Sequence, residues 1–266
     1  MRIIAGPCQH ESYEQSLEIA QTCQEACNKY GFNYYFKASF DKANRSSIHG
    51  KRHSAPSVDQ SMAYFINDVK KMREQIPNLK VLTDVHERWQ IAPLEKVVNV
   101  IQIPAFLSRQ TDLIRAVASS DSIEAVNIKK GQFMAPWDIE GVLTKVDDLS
   151  KVWITERGTS FGYNNLVVDF AGMEHCLRSY NVPFIYDVTH SVQKPSINGG
   201  SSGGDRSYVV PLLRAATALG VSNFFLEVHP DPDNAPSDGP NMLMLDDFDE
   251  ALYNIAQYHY DPRNTG

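Results

Sequence analysis

Short apolar runs of strand length alternate along this chain with longer stretches whose apolar residues recur every three to four positions. The strand-like runs are RIIAGPC, NYYFKASF, KVLTDVH, VIQIPAF, EAVNIKKG, KVWITERG, PFIYDVTH and NFFLEVHP, beginning near residues 2, 33, 80, 99, 124, 151, 183 and 223. The segments between them read as amphipathic helices. SYEQSLEIAQTCQEACNKY opens on a Ser12/Gln15 capping box, and DRSYVVPLLRAATALG closes on Gly220. Strand and helix in alternation predict a parallel sheet with right-handed crossovers, and eight strands predict closure into an α/β (β/α)8 TIM barrel. A doubly wound open sheet is the competing architecture, but neither GxGxxG nor a P-loop follows the first strand. No Pro/Gly/Ser-rich linker, charge block or shift in composition divides the chain, so residues 1–266 are read as a single barrel domain.

Each apolar run ends on a polar or ionisable group: Cys8, Lys37, Asp84, Gln102, Lys129, Arg157, His190 and Glu227. In a barrel these ends converge on one mouth, the face where groups that do chemistry are mounted. Lys37, Lys42, Arg45, Lys129 and Arg157 supply five fixed cations from three strands and one loop, which suits a ligand with two separate anionic groups, phosphates above all. Asn44, Ser46 and Ser47 add neutral donors. Ser202-Gly203-Gly204, ahead of a helix, offers backbone N–H groups of the kind that hold phosphate, with a flexible loop as the plainer reading.

Cys8, His190 and Glu227, with Asp238 in the loop after the eighth strand, offer one soft sulfur, one imidazole and two carboxylates. These are ligand types for zinc, iron(II), cobalt or manganese in preference to magnesium. The four lie far apart in the chain, so only closure of the barrel brings them together. His86 and His229, one or two residues beyond strand ends, read as hydrogen-bonding supports for neighbouring groups and not as ligands. His10, His49 and His53 read as solvated loop residues.

A formal net charge of -7 argues against nucleic acid or an acidic membrane surface as partner, so any anion site must be a local cluster. With 42% hydrophobic residues the chain can bury a full core. Cys23 and Cys27, four apart on a helical stripe, and Cys176 in AGMEHCLRSY read as core thiols, and no disulfide is expected. MRIIAGPC, broken early by Gly6-Pro7, does not read as a signal peptide. No apolar stretch approaches the length of a membrane span, and a cytoplasmic enzyme is expected.

The segments FKASFDKANRSSIH, LTDVHE, QIPAFLSRQTDL, NIKKGQF, ERGTSFGYNNLVVD, DVTHSVQ and LEVHPDPDNAPSDGP together carry a resemblance. From residue 2 to about residue 245 the chain resembles the 3-deoxy-D-manno-octulosonate 8-phosphate (KDO 8-phosphate) synthase family. That resemblance implies a (β/α)8 barrel condensing phosphoenolpyruvate with D-arabinose 5-phosphate and water, releasing inorganic phosphate, on the route to the lipopolysaccharide inner core. It implies that Lys37, Lys42, Gln102, Lys129 and Arg157 hold phosphoenolpyruvate. Asn44, Arg45 and Ser46 would hold the aldose phosphate, with Asp84 towards a sugar hydroxyl. GPCQHES and SDG resemble the metal-dependent class, which implies a divalent metal ion (Zn, Fe(II), Mn or Co) on Cys8, His190, Glu227 and Asp238. His190 and Asp238 would also orient water, and Lys129 or Lys42 would donate a proton to the new alkoxide. PAFLSRQTD, with Phe106 and Arg109, resembles the segment that approaches a neighbouring subunit's site, implying a homotetramer. One departure is visible: after His49 the family's SxRGPG is replaced by GKRHSAP, which retains Arg52 but not the glycines.

Two other readings remain open at this point. The 3-deoxy-D-arabino-heptulosonate 7-phosphate synthases use the same donor with erythrose 4-phosphate and open on a similar GPC strand, but with a KPRTS-type motif where this chain has KANRSS. A non-catalytic sugar-phosphate-binding barrel would bind without turnover.

Overall fold

The computed structural model describes residues 1–43, 45, 51–52, 54–197 and 202–259. Eight parallel strands form the barrel wall: β1 (Arg2–Gly6), β2 (Asn33–Lys37), β3 (Val81–Asp84), β4 (Val100–Ile103), β5 (Ala125–Lys129), β6 (Val152–Glu156), β7 (Phe184–Asp187) and β8 (Asn223–His229). Each pairs with the next, and β8 pairs back onto β1 from Arg2↔Asn223 to Gly6↔Glu227. The predicted TIM barrel is therefore closed, and the open-sheet alternative is excluded.

Alternation with period two divides each strand between two cores. Ile4, Tyr35, Leu82, Val100, Ala125, Trp153, Ile185 and Phe225, one from each strand, fill the barrel's interior. Tyr35 and Trp153 meet edge to face with centroids 5.1 Å apart. Neighbours such as Ile3, Phe36, Ile101 and Val126 point outward, under the helices. Burying each large apolar side chain of this kind contributes roughly 1.5–3 kcal/mol.

The helices obey the matching rule. Helix α1 (Tyr13–Lys29) buries Ile19, Ala20, Cys23 and Cys27, the stripe expected from sequence, and all four cysteines are free thiols. Its Ser12 hydroxyl accepts from the Gln15 backbone at 3.2 Å. The other half of the expected capping box is replaced, since the Gln15 amide turns to His229 at 2.9 Å. The later helix Val209–Leu219 ends on Gly220 at φ +103, the left-handed cap read from the sequence. No helix among the described residues is long and apolar enough to cross a membrane.

Two residues above each interior plug residue, the barrel turns polar: Lys37, Asp84, Gln102, Asn127, Thr155, Asp187 and Glu227. The eighth position of this layer is Gly6. A Cβ there would sit 2.1 Å from the Lys37 carbonyl oxygen, so only glycine lets β1 run this close to β2. The polar layer is the floor of the site.

Candidate active site

Above the floor the mouth holds a cavity of about 410 Å³. Lys37, Lys42, Arg45, Asp84, Gln102, Phe106, Lys129, Arg157, His190 and Asp238 all line it. Asn44 and Ser46, together with Ser47, His49 and His53, lie outside the described residues.

The cations are held individually. Lys129, at the end of β5, sets its ammonium 2.5 Å from Asp187 Oδ2 and 3.9 Å above the Phe225 ring. Burial lowers its pKa despite Asp187. Lys37, on β2, donates to Glu227 Oε1 at 2.8 Å and to the Cys8 carbonyl at 3.0 Å, so its charge is committed to the floor. Lys42 donates to Ser39 Oγ at 2.9 Å. Burial alone would lower its pKa, but Cys8, Asp84 and Glu227 raise it above the ordinary lysine value. Arg157 follows β6, just before Gly158. Its NH2 donates to Gln193 at 2.8 Å, while its buried NH1 has no partner among the described residues.

Neutral groups are oriented by relays. Thr155 donates to Asn127 Oδ1 at 2.7 Å, and Asn127 donates to Gln102 Oε1 at 3.1 Å. With its oxygen taken, Gln102 presents an N–H to the cavity, the polarity an anion requires. Asp84 accepts from Ser39 at 2.5 Å and lies 3.2 Å from His86 Nε2. Burial would raise its pKa, yet His86 and Lys42 hold it well below the usual carboxylate range. His86, read as a hydrogen-bonding support, stands beside Asp84 as an ion-pair neighbour. His229 sits 3.0 Å from Glu11 Oε1, away from the ligand cluster, and its Nδ1 accepts from the Asp231 N–H.

Cys8, Glu227 and Asp238 place one ligand atom each within 4.8 Å of one another. The Cys8 thiol donates to Asp238 Oδ2 at 3.2 Å. His190 approaches from the carboxylate side, with Nε2 3.7 Å from Glu227 Oε2 and 4.0 Å from Asp238 Oδ2. Bonds of about 2.0–2.3 Å to one ion put tetrahedral ligands roughly 3.3–3.7 Å apart; the Cys8–Asp238 and His190–Glu227 separations are of about that size, whereas His190 lies outside the group of three whose ligand atoms are all within 4.8 Å of one another. Burial, then Glu227, pushes the Cys8 thiol above its ordinary value, while Glu227 Oε2 is buried without a hydrogen-bond partner among the described residues. A divalent cation would correct both. Asp238 itself is held well below the usual carboxylate range: burial opposes this, and His190 and Lys42 bring it about.

Several expectations need correction. His10 is not solvated: it is buried, edge-on to Phe65, with Nε2 3.2 Å from Asp68, because helix α2 (Val58–Gln75) packs over it. His190 is not on a strand. β7 stops at Asp187, and His190 stands on the single turn Val188–Ser191 that Asp187 caps through the His190 N–H. Gly203-Gly204 does not form a free nest; it pairs antiparallel with Gln193–Lys194. Arg109, expected at a neighbouring subunit's site, stands outside this chain's own cavity and pairs with Asp138 at 3.1 Å, which leaves that expectation as it was. Arg52, whose loop departs from the family pattern, is tied to buried Asp41 at 2.9 Å.

Asp187 and Asn127 in the floor, and Gln193 and Lys51 lining the cavity, were not read from the sequence. Asp187 is fully buried and accepts from Lys129, from His190 Nδ1 at 2.7 Å and from the His190 N–H at 2.9 Å. Burial would raise its pKa, but His190 and Lys129 bring it below the ordinary range. Asp187 and Asn127 stand two residues above plug positions, so counting by twos from Ile185 and Ala125 would have found them. Gln193 and Lys51 carry no such local signal.

Residues 1–260 match the DAHP synthetase I family. Among curated relatives, 2-dehydro-3-deoxyphosphooctonate aldolase of Fusobacterium nucleatum is 50% identical over 252 residues, covering 94% of this chain and 87% of the relative. The proteins of that name from Desulfotalea psychrophila and Agrobacterium fabrum are 46% and 47% identical, each covering 96% of this chain and 88% of the relative.

Proposed function

This chain belongs to the DAHP synthetase I family, and within it we propose that the protein condenses phosphoenolpyruvate with D-arabinose 5-phosphate and water to form 3-deoxy-D-manno-octulosonate 8-phosphate and inorganic phosphate. The reaction is that of the 2-dehydro-3-deoxyphosphooctonate aldolases, also called KDO 8-phosphate synthases. One observation carries the reading: a single mouth joins cationic groups, among them Arg157 NH1, unpartnered among the described residues, to a sulfur and carboxylate cluster with the His190 imidazole beside it. The seven-carbon alternative draws on the breadth of the family, whereas relatives at 46–50% identity carry the eight-carbon name.

In this reading Arg157 NH1, the Lys129 and Lys42 ammonium groups and the Gln102 N–H grip the phosphate and carboxylate of phosphoenolpyruvate, with Lys37 lining the same cavity. The aldose phosphate is held by Asn44, Arg45 and Ser46, and Asp84, fixed by Ser39 and His86, faces a sugar hydroxyl. The donor's C3 is thereby set against the aldehyde carbon, and positioning removes much of the barrier. The C3–C1 bond forms as positive charge develops at C2 of the donor; water adds there and gives up one proton, which restores the ammonium that protonates the new alkoxide. As the C–O bond breaks, the remaining hydroxyl proton leaves with the phosphate, giving the C2 ketone. The new alkoxide takes a proton from a nearby ammonium. Lys129 is the better donor, because burial lowers its pKa while the neighbours of Lys42 raise that lysine's. Cys8, His190, Glu227 and Asp238 would hold a divalent ion, whose chemistry is to polarise an oxygen or to lower the pKa of water. His190 and Asp238 also orient that water.

A homotetramer is proposed, with Phe106 and Arg109 at a neighbouring subunit; Phe106 is 59% exposed at the rim, as such a contact requires. A cytoplasmic place in lipopolysaccharide synthesis belongs to the same proposal. Phosphate release measured with arabinose 5-phosphate and erythrose 4-phosphate, before and after chelation and with metals restored, tests it. Faster release with the four-carbon aldose overturns the substrate assignment.

A further inference from the structure

Gln193 occupies a position between the two halves of the site. Its Oε1 accepts from Arg157 NH2 at 2.8 Å, and its Nε2 donates to Asp238 Oδ1 at 2.6 Å. The amide has only one orientation here, because a guanidinium can only donate and a carboxylate only accept. Arg157 keeps NH1 free of protein partners among the described residues. Asp238 turns its other oxygen, Oδ2, towards Cys8 Sγ and Ser237 Oγ at 3.2 and 2.9 Å. Asp238 also stands at φ +56, a left-handed backbone that a non-glycine residue holds only when its surroundings fix it. The backbone of Gln193 is itself anchored by pairing with Gly204.

We infer that Gln193 is a positioning residue that couples anion binding at Arg157 to metal binding at Asp238, so that each ligand tightens the other. This rests on the proposed reading of the site. An anion on NH1 draws charge from the guanidinium and weakens its donation to Gln193. The amide then polarises Asp238 less, and that carboxylate becomes a better ligand; adjacent hydrogen bonds polarise one another in this way. The anion also fixes Arg157 in place, and through Gln193 fixes the oxygen on Asp238. By linkage the effect is reciprocal.

The test is a double titration of the full-length protein with phosphoenolpyruvate and Co²⁺, each measured by equilibrium dialysis without and with the other. For the unsubstituted protein, affinities should rise together by about 5- to 100-fold. Gln193→Met keeps the volume and removes both hydrogen bonds; it should still bind each ligand but bring the factor to within about 2-fold of unity. Ser237→Ala removes a contact to Asp238 that does not reach Arg157, and should change Co²⁺ affinity while keeping the coupling. Should Gln193→Met not fold, Gln193→Asn, one methylene too short to span both partners, serves in its place. Coupling retained in the Gln193 variant, or lost equally in Ser237→Ala, overturns the inference, as does independent binding of both ligands by the unsubstituted protein. Failure of that protein to bind either ligand overturns the site reading as well.

Discussion

Replacing Asp187 by Asn changes one charge with almost no change of shape. The carboxylate is fully buried and takes three hydrogen bonds: Lys129 at 2.5 Å, His190 Nδ1 at 2.7 Å and the His190 N–H at 2.9 Å. An amide has a single acceptor oxygen, so Oδ2, which serves two donors, and Oδ1 cannot both be reproduced. At an effective dielectric constant of about 20, unit charges 2.5 Å apart attract by roughly 6–7 kcal/mol, part of which offsets the cost of burying them. Removing one partner of a buried pair costs about 3–5 kcal/mol, because the other charge is left unpaired. The same change frees the imidazole to turn or change tautomer, which for an outer partner of a metal-binding histidine costs about 10- to 100-fold in metal affinity. Urea unfolding should therefore show a folded variant less stable by about 3–5 kcal/mol. Competition with a chromophoric chelator should show Co²⁺ bound about 10- to 100-fold more weakly. A variant within about 1 kcal/mol of the parent, with Co²⁺ affinity unchanged, would refute the role given to Asp187.

Three further outcomes follow from the same geometry. Cys8→Asn removes the sulfur ligand and should abolish or strongly reduce the dependence of phosphate release on added metal; sensitivity to a chelator unchanged from the parent would remove Cys8 from the ligand set. Gly6→Ala puts a Cβ 2.1 Å from the Lys37 carbonyl oxygen, forcing β1 from β2. It should cost about 3 kcal/mol or more and displace the Lys37 ammonium from Glu227, with thermal unfolding and turnover as the checks. Asp84 has a folded pKa below its reference value of 3.8, so its ionised contribution is present above that value and lost as pH falls through the folded one. Asp84→Asn should therefore be less stable than the parent near neutrality by about 1–3 kcal/mol, with the difference shrinking as pH drops below 4. A pH-independent difference in urea midpoint would contradict that sign.

The barrel was legible because its signals are local. The unbroken apolar runs Ile3–Ile4–Ala5 and Tyr34–Tyr35–Phe36, and the helical spacing of Ile19, Cys23 and Cys27, report burial without knowledge of the partner. Polar residues at strand ends marked the mouth for the same reason, since a strand buried on both faces changes character only where it leaves the core. Local pattern misled where a distant element decided the environment. His10 lies in a polar stretch, yet α2 lays Phe65 and Asp68 across it, and Gln15 left its own helix end for His229.

By itself, then, the sequence determined the alternation of strand and helix, the apolar plug and the kinds of chemical group at the rim. Which groups touch was decided only by tertiary structure. Cys8 meets Asp238 across 230 residues of chain because β1 pairs with β8 and closes the ring, and Asp187 and Gln193 gained partners from β5, the end of β6 and the loop after β8. Backbone periodicity records whether a side chain is buried, but not which distant side chain shares its pocket, because that contact depends on the register of hydrogen bonds around the whole barrel.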